Sequence, residues 1–322
     1  MAQSTKQQGK KKRAKTKAKK APMPPIVIIL GILVALMASL FLLCLLFFVP
    51  RSRLAQTVSA VESTAMEADQ DDGEPTGKRS AKGKRKGNQE LPVEEVPSLP
   101  MSELTAECFG MENGFKTYRS EELTAALGID VSSHQGWIDW ATVAQSDVDY
   151  AMLRAGYRGY GNGQTNPDEY FQYNLESATA AGLDVGIYYF SQAITEEEAI
   201  AEAKEALAMV EGYDLAYPIY FDWETVEDST ARTNTISSSE LTACALAFCR
   251  TIEEAGYQAG IYFNLSTAFQ LYQLQELTDY DFWLAEYRDI PSYPFAIDMW
   301  QYTENGQVPG IYTDVDLNLS FR

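Results

Sequence analysis

The chain has 322 residues, with 26 Lys and Arg against 45 Asp and Glu and a formal net charge of −19. The charge is split: residues 1–90 hold 17 basic and 7 acidic side chains, residues 91–322 hold 9 and 38. So acidic a C-terminal part excludes a nucleic-acid-binding domain, which needs a basic face. One histidine, His134, excludes multi-histidine zinc sites, and four cysteines without a CxxC spacing exclude a zinc ribbon or thioredoxin-type motif.

Residues 1–25 read as a basic tail, with nine Lys or Arg in the first twenty positions. Residues 26–49 carry no charge, and a helix of that length crosses a hydrocarbon core of ~30 Å. The positive-inside rule keeps the tail in the cytoplasm and places the rest of the chain outside the cell membrane. A cleaved signal peptide is the rival reading, but its apolar region runs ~7–15 residues, shorter than this one. Residues 50–100 are polar and nearly free of aromatics, a composition that cannot offset chain entropy, so a disordered linker is expected. Its cluster Lys78, Arg79, Lys82, Lys84, Arg85 and Lys86 is either a solvated stretch or a patch that attracts anionic polymer or lipid. Residues 101–122 regain aromatics and read as a lead-in packed on the domain that follows.

Residues 123–322 form that domain. Short apolar runs recur at Leu127–Val131, Tyr150–Ala155, Val185–Phe190, Tyr217–Trp223, Gln258–Phe263, Phe282–Tyr287, Ile297–Tyr302 and Thr313–Leu319. Helical patterns lie between several of them: Asp168–Ala181 before Gly182, a helix opened by a Thr195–Glu198 capping box, and Ser237–Ala255 before Gly256. Strand–helix alternation with apolar strands predicts an α/β fold with a parallel sheet. Eight strands in about 200 residues point to an irregular (β/α) TIM-like barrel. An open doubly wound sheet would place a glycine-rich turn after the first strand, and Asp130–Gly136 lacks that fingerprint.

Chemistry in such barrels sits at the C-terminal strand ends. Asp130 ends the first run, and Asp222 and Glu224 end the fourth. Residues two apart share a strand face, so these two carboxylates lie ~7 Å apart on one side, with Phe221 and Trp223 turned the other way. Neighbouring carboxylates push their pKa values apart, leaving one as acid and one ionised, the division that glycosidic cleavage uses. Asp316 adds a further strand-end carboxylate, and Tyr157, Tyr160, Tyr188, Tyr189, Trp300 and Tyr302 supply rings that can stack on sugars or fill the core. No nucleophile motif accompanies His134, which reads as structural or as part of the rim, and no EF-hand spacing supports calcium.

These residues resemble glycoside hydrolase family 25, the N-acetylmuramidases or Chalaropsis-type lysozymes. Gly128–Gly136 is similar to the family's opening strand, Phe221-Asp222-Trp223-Glu224 to its central Asp-x-Glu, and Trp300-Gln301-Tyr302 with Asp316-Leu317-Asn318 to its closing segments. Leu153-Arg154-Ala155 and Gly186-Ile187-Tyr188 add to the likeness. The resemblance implies hydrolysis of the β-1,4 bond from N-acetylmuramic acid to N-acetylglucosamine in peptidoglycan, with no cofactor and no metal. It implies Glu224 as general acid, and Asp222 as the group that orients the substrate acetamido for attack on the anomeric carbon. Asp130 and Asp316 would line the same pocket, with Tyr188, Tyr189, Tyr160, Arg154, Trp300 and Gln301 binding substrate. The implied partners are peptidoglycan glycan strands and, through residues 26–49, the membrane. The chain departs from the family at Tyr189-Phe190, where a histidine often follows the tyrosine, and in carrying Asp298 before Trp300. A catalytically inactive barrel that binds glycan as a wall scaffold is the alternative. Pairing of Cys108 with Cys244 or Cys249 is left open by the sequence.

Overall fold

The computed structural model describes residues 99–322. The basic tail, the apolar span 26–49 and almost all of the linker 50–100 lie outside the described residues. No helix among those described is long and apolar enough to cross a membrane.

Eight strands close into a barrel: β3 (Ala126–Val131), β4 (Tyr150–Arg158), β6 (Asp184–Ser191), β7 (Ile219–Trp223), β8 (Ala259–Asn264), β9 (Asp281–Ala285), β10 (Met299–Gly306) and β11 (Val315–Ser320). They follow the eight apolar runs of the sequence. β3 pairs with β4 on one side and β11 on the other, which completes the ring. A short β5 (Thr165–Pro167) adds to the edge of β4. Six neighbouring pairs are parallel, but β11 runs antiparallel to both β10 and β3. A parallel sheet in an irregular barrel was the expectation. The reversal has a simple cause: residues 307–314 are too few for a crossover and can only fold back as a hairpin.

That hairpin leaves the outer face of β10 and β11 without a helix. The lead-in covers it. β1 (Phe109–Glu112) and β2 (Phe115–Tyr118) form an antiparallel hairpin. Phe109 meets the Trp300 ring edge-on at 5.6 Å, and Tyr118 meets Phe321 at 5.6 Å. The Lys116 N–H donates to the Tyr302 hydroxyl at 3.3 Å. Residues 101–122 are thus a layer of the barrel wall.

Inside the barrel, inward positions alternate between bulk and none. Tyr150, Met152, Tyr188, Tyr220, Tyr262, Trp283 and Met299 fill the interior, and the Trp283 ring meets Tyr188, Tyr220 and Tyr262 edge-on at 5.9, 5.2 and 5.0 Å. Glycines on neighbouring strands make the room. A Cβ on Gly128 would sit 2.1 Å from Tyr150 Cζ, and one on Gly260 would sit 2.3 Å from Tyr220 Cε1. Phe221 and Trp223 pack outward with the helices, as two-residue alternation requires.

The helices Phe171–Ala181, Glu196–Met209 and Ser238–Glu254 match the sequence patterns closely. The first starts three residues late because Asp168 is drawn into a buried ion pair and its Oδ1 accepts the Tyr170 N–H at 2.9 Å. Ser237 and Glu240 form a reciprocal capping box. Thr195 caps its helix by accepting the Glu198 N–H, but the Glu198 carboxylate turns to the Ile194 N–H and to Arg232. Cys108, Cys244 and Cys249 are free thiols, which closes the question of their pairing. Cys244 and Cys249 are buried on the inner side of the last long helix, and burial pushes the Cys244 thiol up to about 12.

Candidate active site

The strand register sets the site. Asp130, next to last in β3, is the register partner of Asp316, second in β11. Because β11 is reversed, the start of that strand lies at the same rim as the end of β3. The two aspartates therefore meet, and the strand-end carboxylate expected at Asp316 lies at the start of its strand.

Amides bind them together. Gln301 Nε2 donates to Asp130 Oδ2 at 2.7 Å and to Asp316 Oδ2 at 3.3 Å. Asn318 Nδ2 donates to the same Asp130 oxygen at 2.9 Å. Each amide is oriented from behind. The Tyr262 and Tyr287 hydroxyls donate to Gln301 Oε1 at 3.1 and 2.9 Å, and Trp283 Nε1 donates to Asn318 Oδ1 at 2.9 Å. Both amide nitrogens must then face Asp130. Asp130 is thus a buried carboxylate with one oxygen that accepts two fixed N–H donors.

Asp222 stands in register with Tyr262 on one side and Phe190 on the other. Tyr262 thus links the Asp222 strand to Gln301 and onward to Asp130 across the barrel mouth. Asp222 is almost fully buried, while Glu224, just past the end of β7, is half-buried. The main chain at Glu224 is pinned: Gln192 Nε2 donates to its carbonyl at 2.8 Å, and Thr233 Oγ1 donates to Gln192 Oε1 at 2.9 Å.

The other expected residues divide. Tyr188 faces the barrel interior against Trp283. Arg154 is buried, and its guanidinium donates to Asp168 Oδ2 and Ser133 Oγ at 2.9 Å each. Asp168 Oδ2 also accepts the Ser133 N–H at 2.8 Å, so Arg154 holds the turn after β3 in place. Tyr160 is half-buried in the loop after β4, where its carbonyl accepts the Arg232 N–H at 3.0 Å. Tyr189 and Trp300 are corrections. The Tyr189 hydroxyl donates to Glu205 at 2.8 Å on the helix side, and Trp300 Nε1 donates to the Glu286 carbonyl at 2.8 Å beneath the lead-in hairpin. Both point away from the mouth, because each alternates with an inward neighbour, Phe190 and Gln301 respectively. At the Tyr189-Phe190 departure from the family pattern, the residue beside Asp222 is therefore Phe190.

Sequence reasoning passed over Asn318, Asp168, Gln192, Tyr262, Tyr287 and Trp283 as site residues. Asn318 carried a readable signal, since it lies two residues after Asp316 on the same strand face. The others lie on other strands and on loops and had none. Asp298 lies at the opposite end of the barrel, where its carboxylate accepts the Phe282 N–H at 2.8 Å. A shallow pocket lined by Gly212, Tyr213, Tyr217, Tyr257 and Gln258 also lies at that end, away from the rim carboxylates. Among the described residues, no group of three or more His, Cys, Asp and Glu is placed to hold a metal ion.

Comparison with known proteins agrees with this geometry. Residues 129–311, more than half of the chain, match the model of Glycosyl hydrolases family 25. The Escherichia coli K12 protein YegX is 27% identical over 195 residues, 60% of this chain and 68% of its own. The autolytic lysozyme of Clostridium acetobutylicum is 25% identical over 193 residues, 59% of this chain and 54% of its own. The modular autolysin LytC of Streptococcus pneumoniae aligns with a TM-score of 0.55 at 25% identity, over 66% of this chain and 51% of that one. A family 25 glycosyl hydrolase from Bacillus anthracis shares the fold, with a TM-score of 0.53 at 23% identity over 66% and 95%. The chain spans about half the length of LytC and of the clostridial lysozyme. A match that runs from the first barrel strand to the loop before the last leaves one assignment: this chain belongs to glycosyl hydrolases family 25.

Proposed function

We propose that the protein is a membrane-anchored peptidoglycan hydrolase that cleaves the β-1,4 bond from N-acetylmuramic acid to N-acetylglucosamine. The observation that carries this reading is the joining of Asp130, Gln301 and Asp316 on one rim, with Asp222 in register with Tyr262, which donates to Gln301. LytC has also been solved with a synthetic peptidoglycan ligand, which supports the same substrate class here.

In this reading Glu224 is the general acid. It gives its proton to the glycosidic oxygen as the bond to the anomeric carbon breaks. The acetamido oxygen of the same sugar attacks that carbon and closes a five-membered ring. The buried Asp222 carboxylate aligns the acetamido N–H and offsets the positive charge that develops on it. Water then attacks the anomeric carbon, and Glu224, now ionised, takes the proton. Asp130, held by two amides, keeps its carboxylate in a fixed position at the mouth. Residues 26–49 anchor the chain so that this chemistry occurs on wall near the membrane, in remodelling or lysis.

The test is one preparation with two readouts. The full-length chain is expected to stay with membranes through an alkaline wash. After detergent extraction it is expected to release fragments with reducing-end muramic acid from peptidoglycan, read by mass spectrometry. Glu224→Gln is expected to partition identically and to lose at least 10³-fold in turnover. Reducing-end glucosamine would reassign the bond, and a soluble chain would remove the anchor.

A further inference from the structure

Trp137 and Tyr312 are 54% and 76% exposed, yet their rings stack on each other with centroids 6.4 Å apart and planes within 19°. Each lies on a loop beside one of the two aspartate-bearing strands, Trp137 after β3 and Tyr312 before β11. Trp137 follows Asp130 by seven residues, and Tyr312 precedes Asp316 by four. Since Asp130 and Asp316 are register partners, both rings stand on the catalytic rim.

The frame beneath the rings is built. The Asp139 N–H donates to the Gly310 carbonyl at 2.9 Å, Gln135 Nε2 to the Asp314 carbonyl at 3.2 Å, and Gln307 Nε2 to Asp314 Oδ1 at 2.6 Å. Gly310 has φ +97°, and a Cβ there would come within 2.6 Å of the Asp139 carbonyl, so the two loops are pressed flat together. The core does not need these rings. Their neighbours Ile138 and Ile311 are the buried residues, and they fasten the loops from below. Two large aromatics held outward in fixed geometry mark a recognition surface.

We propose that the Trp137–Tyr312 pair is a stacking platform for a sugar ring of the glycan strand beyond those that flank the scissile bond. This rests on the glycan-hydrolase reading above. A pyranose face presents C–H groups that pack on aromatic rings. Gln135, Gln307 and Asp314 at the platform edge suit its hydroxyl and acetamido groups. Continuity with the carboxylate rim argues for the same strand that enters the site. The platform makes the enzyme favour long strands over short oligosaccharides.

The test uses the full-length chain in detergent with two double variants, Trp137→Ala/Tyr312→Ala and Trp137→Phe/Tyr312→Phe. The ratio of kcat/KM on polymeric peptidoglycan to that on a tetrasaccharide is expected to fall at least 10-fold in the alanine pair and to stay within twofold in the phenylalanine pair. A ratio unchanged in the alanine pair, or an equal loss on both substrates, overturns the platform. Pull-down on insoluble peptidoglycan in a Glu224→Gln background reads the platform without turnover, and the alanine pair is expected to bind at least fivefold more weakly. If the parent enzyme cleaves nothing, the hydrolase reading fails, while the pull-down still decides the platform.

Discussion

Gln301 is the hinge of the rim chemistry. Two tyrosine hydroxyls fix its carbonyl, and that alone turns its nitrogen to Asp130 and Asp316. Gln301→Leu keeps the bulk and removes every polar contact. It leaves the Tyr262 and Tyr287 hydroxyls and the Asp130 carboxylate each short of a partner. Buried groups deprived in this way destabilise by about 2–4 kcal/mol together, to be read from urea unfolding, and hydrolysis is expected to fall at least 10²-fold. Gln301 was legible only through resemblance to a family segment. Its two tyrosine partners were not legible at all, because β8 and the segment after β9 come beside it only once the sheet has formed.

Strands and helices depend on local periodicity, and here local periodicity was informative. The eight apolar runs became the eight barrel strands, and Gly182 and Gly256 end their helices with φ of +87° and +89°. What periodicity could not show was which strand runs backwards. That followed from the length of the connection before β11, and it decided where Asp316 lies. The pairing of glycines with inward tyrosines is an element-scale property as well. Gly128→Ala would drive a methyl into the Tyr150 ring, and overpacking of this kind costs about 2–3 kcal/mol. Thermal unfolding is expected to show that loss, with partial recovery in Gly128→Ala/Tyr150→Leu. Gly161→Ala, with nothing within 4 Å of the added atom, serves as the neutral control.

The whole barrel has two chemically distinct ends. The catalytic mouth gathers carboxylates with amide donors. The opposite end gathers Asp281 and Asp298 with Arg322, whose guanidinium lies 2.7 Å from Asp281. Burial and the neighbouring Asp298 push Asp281 up to about 6, against the pull of Arg322. A carboxylate whose pKa is raised on folding binds its proton more tightly in the folded state. Its stabilising contribution is present below the usual value near 4 and is lost as pH rises through about 6. Stability is therefore expected to decline across that window. Asp281→Asn is expected to flatten the decline, as measured by the urea midpoint at a series of pH values. An identical slope in the variant would remove Asp281 as its source. The comparison with the variant is needed because self-repulsion of the acidic domain changes over the same range.

Composition and local pattern were sufficient for whatever depends on neighbours in the chain: the charge split, the uncharged run 26–49, and the strand and helix positions. Tertiary structure decided what depends on closure. It turned Tyr189 and Trp300 outward, spent Arg154 on Asp168, made residues 101–122 part of the wall, and set Asp316 opposite Asp130. The physical reason is range. A strand's two-residue alternation says which residues share a face, but which face looks inward, and what stands across from it, is settled only when β3 pairs with both β4 and β11.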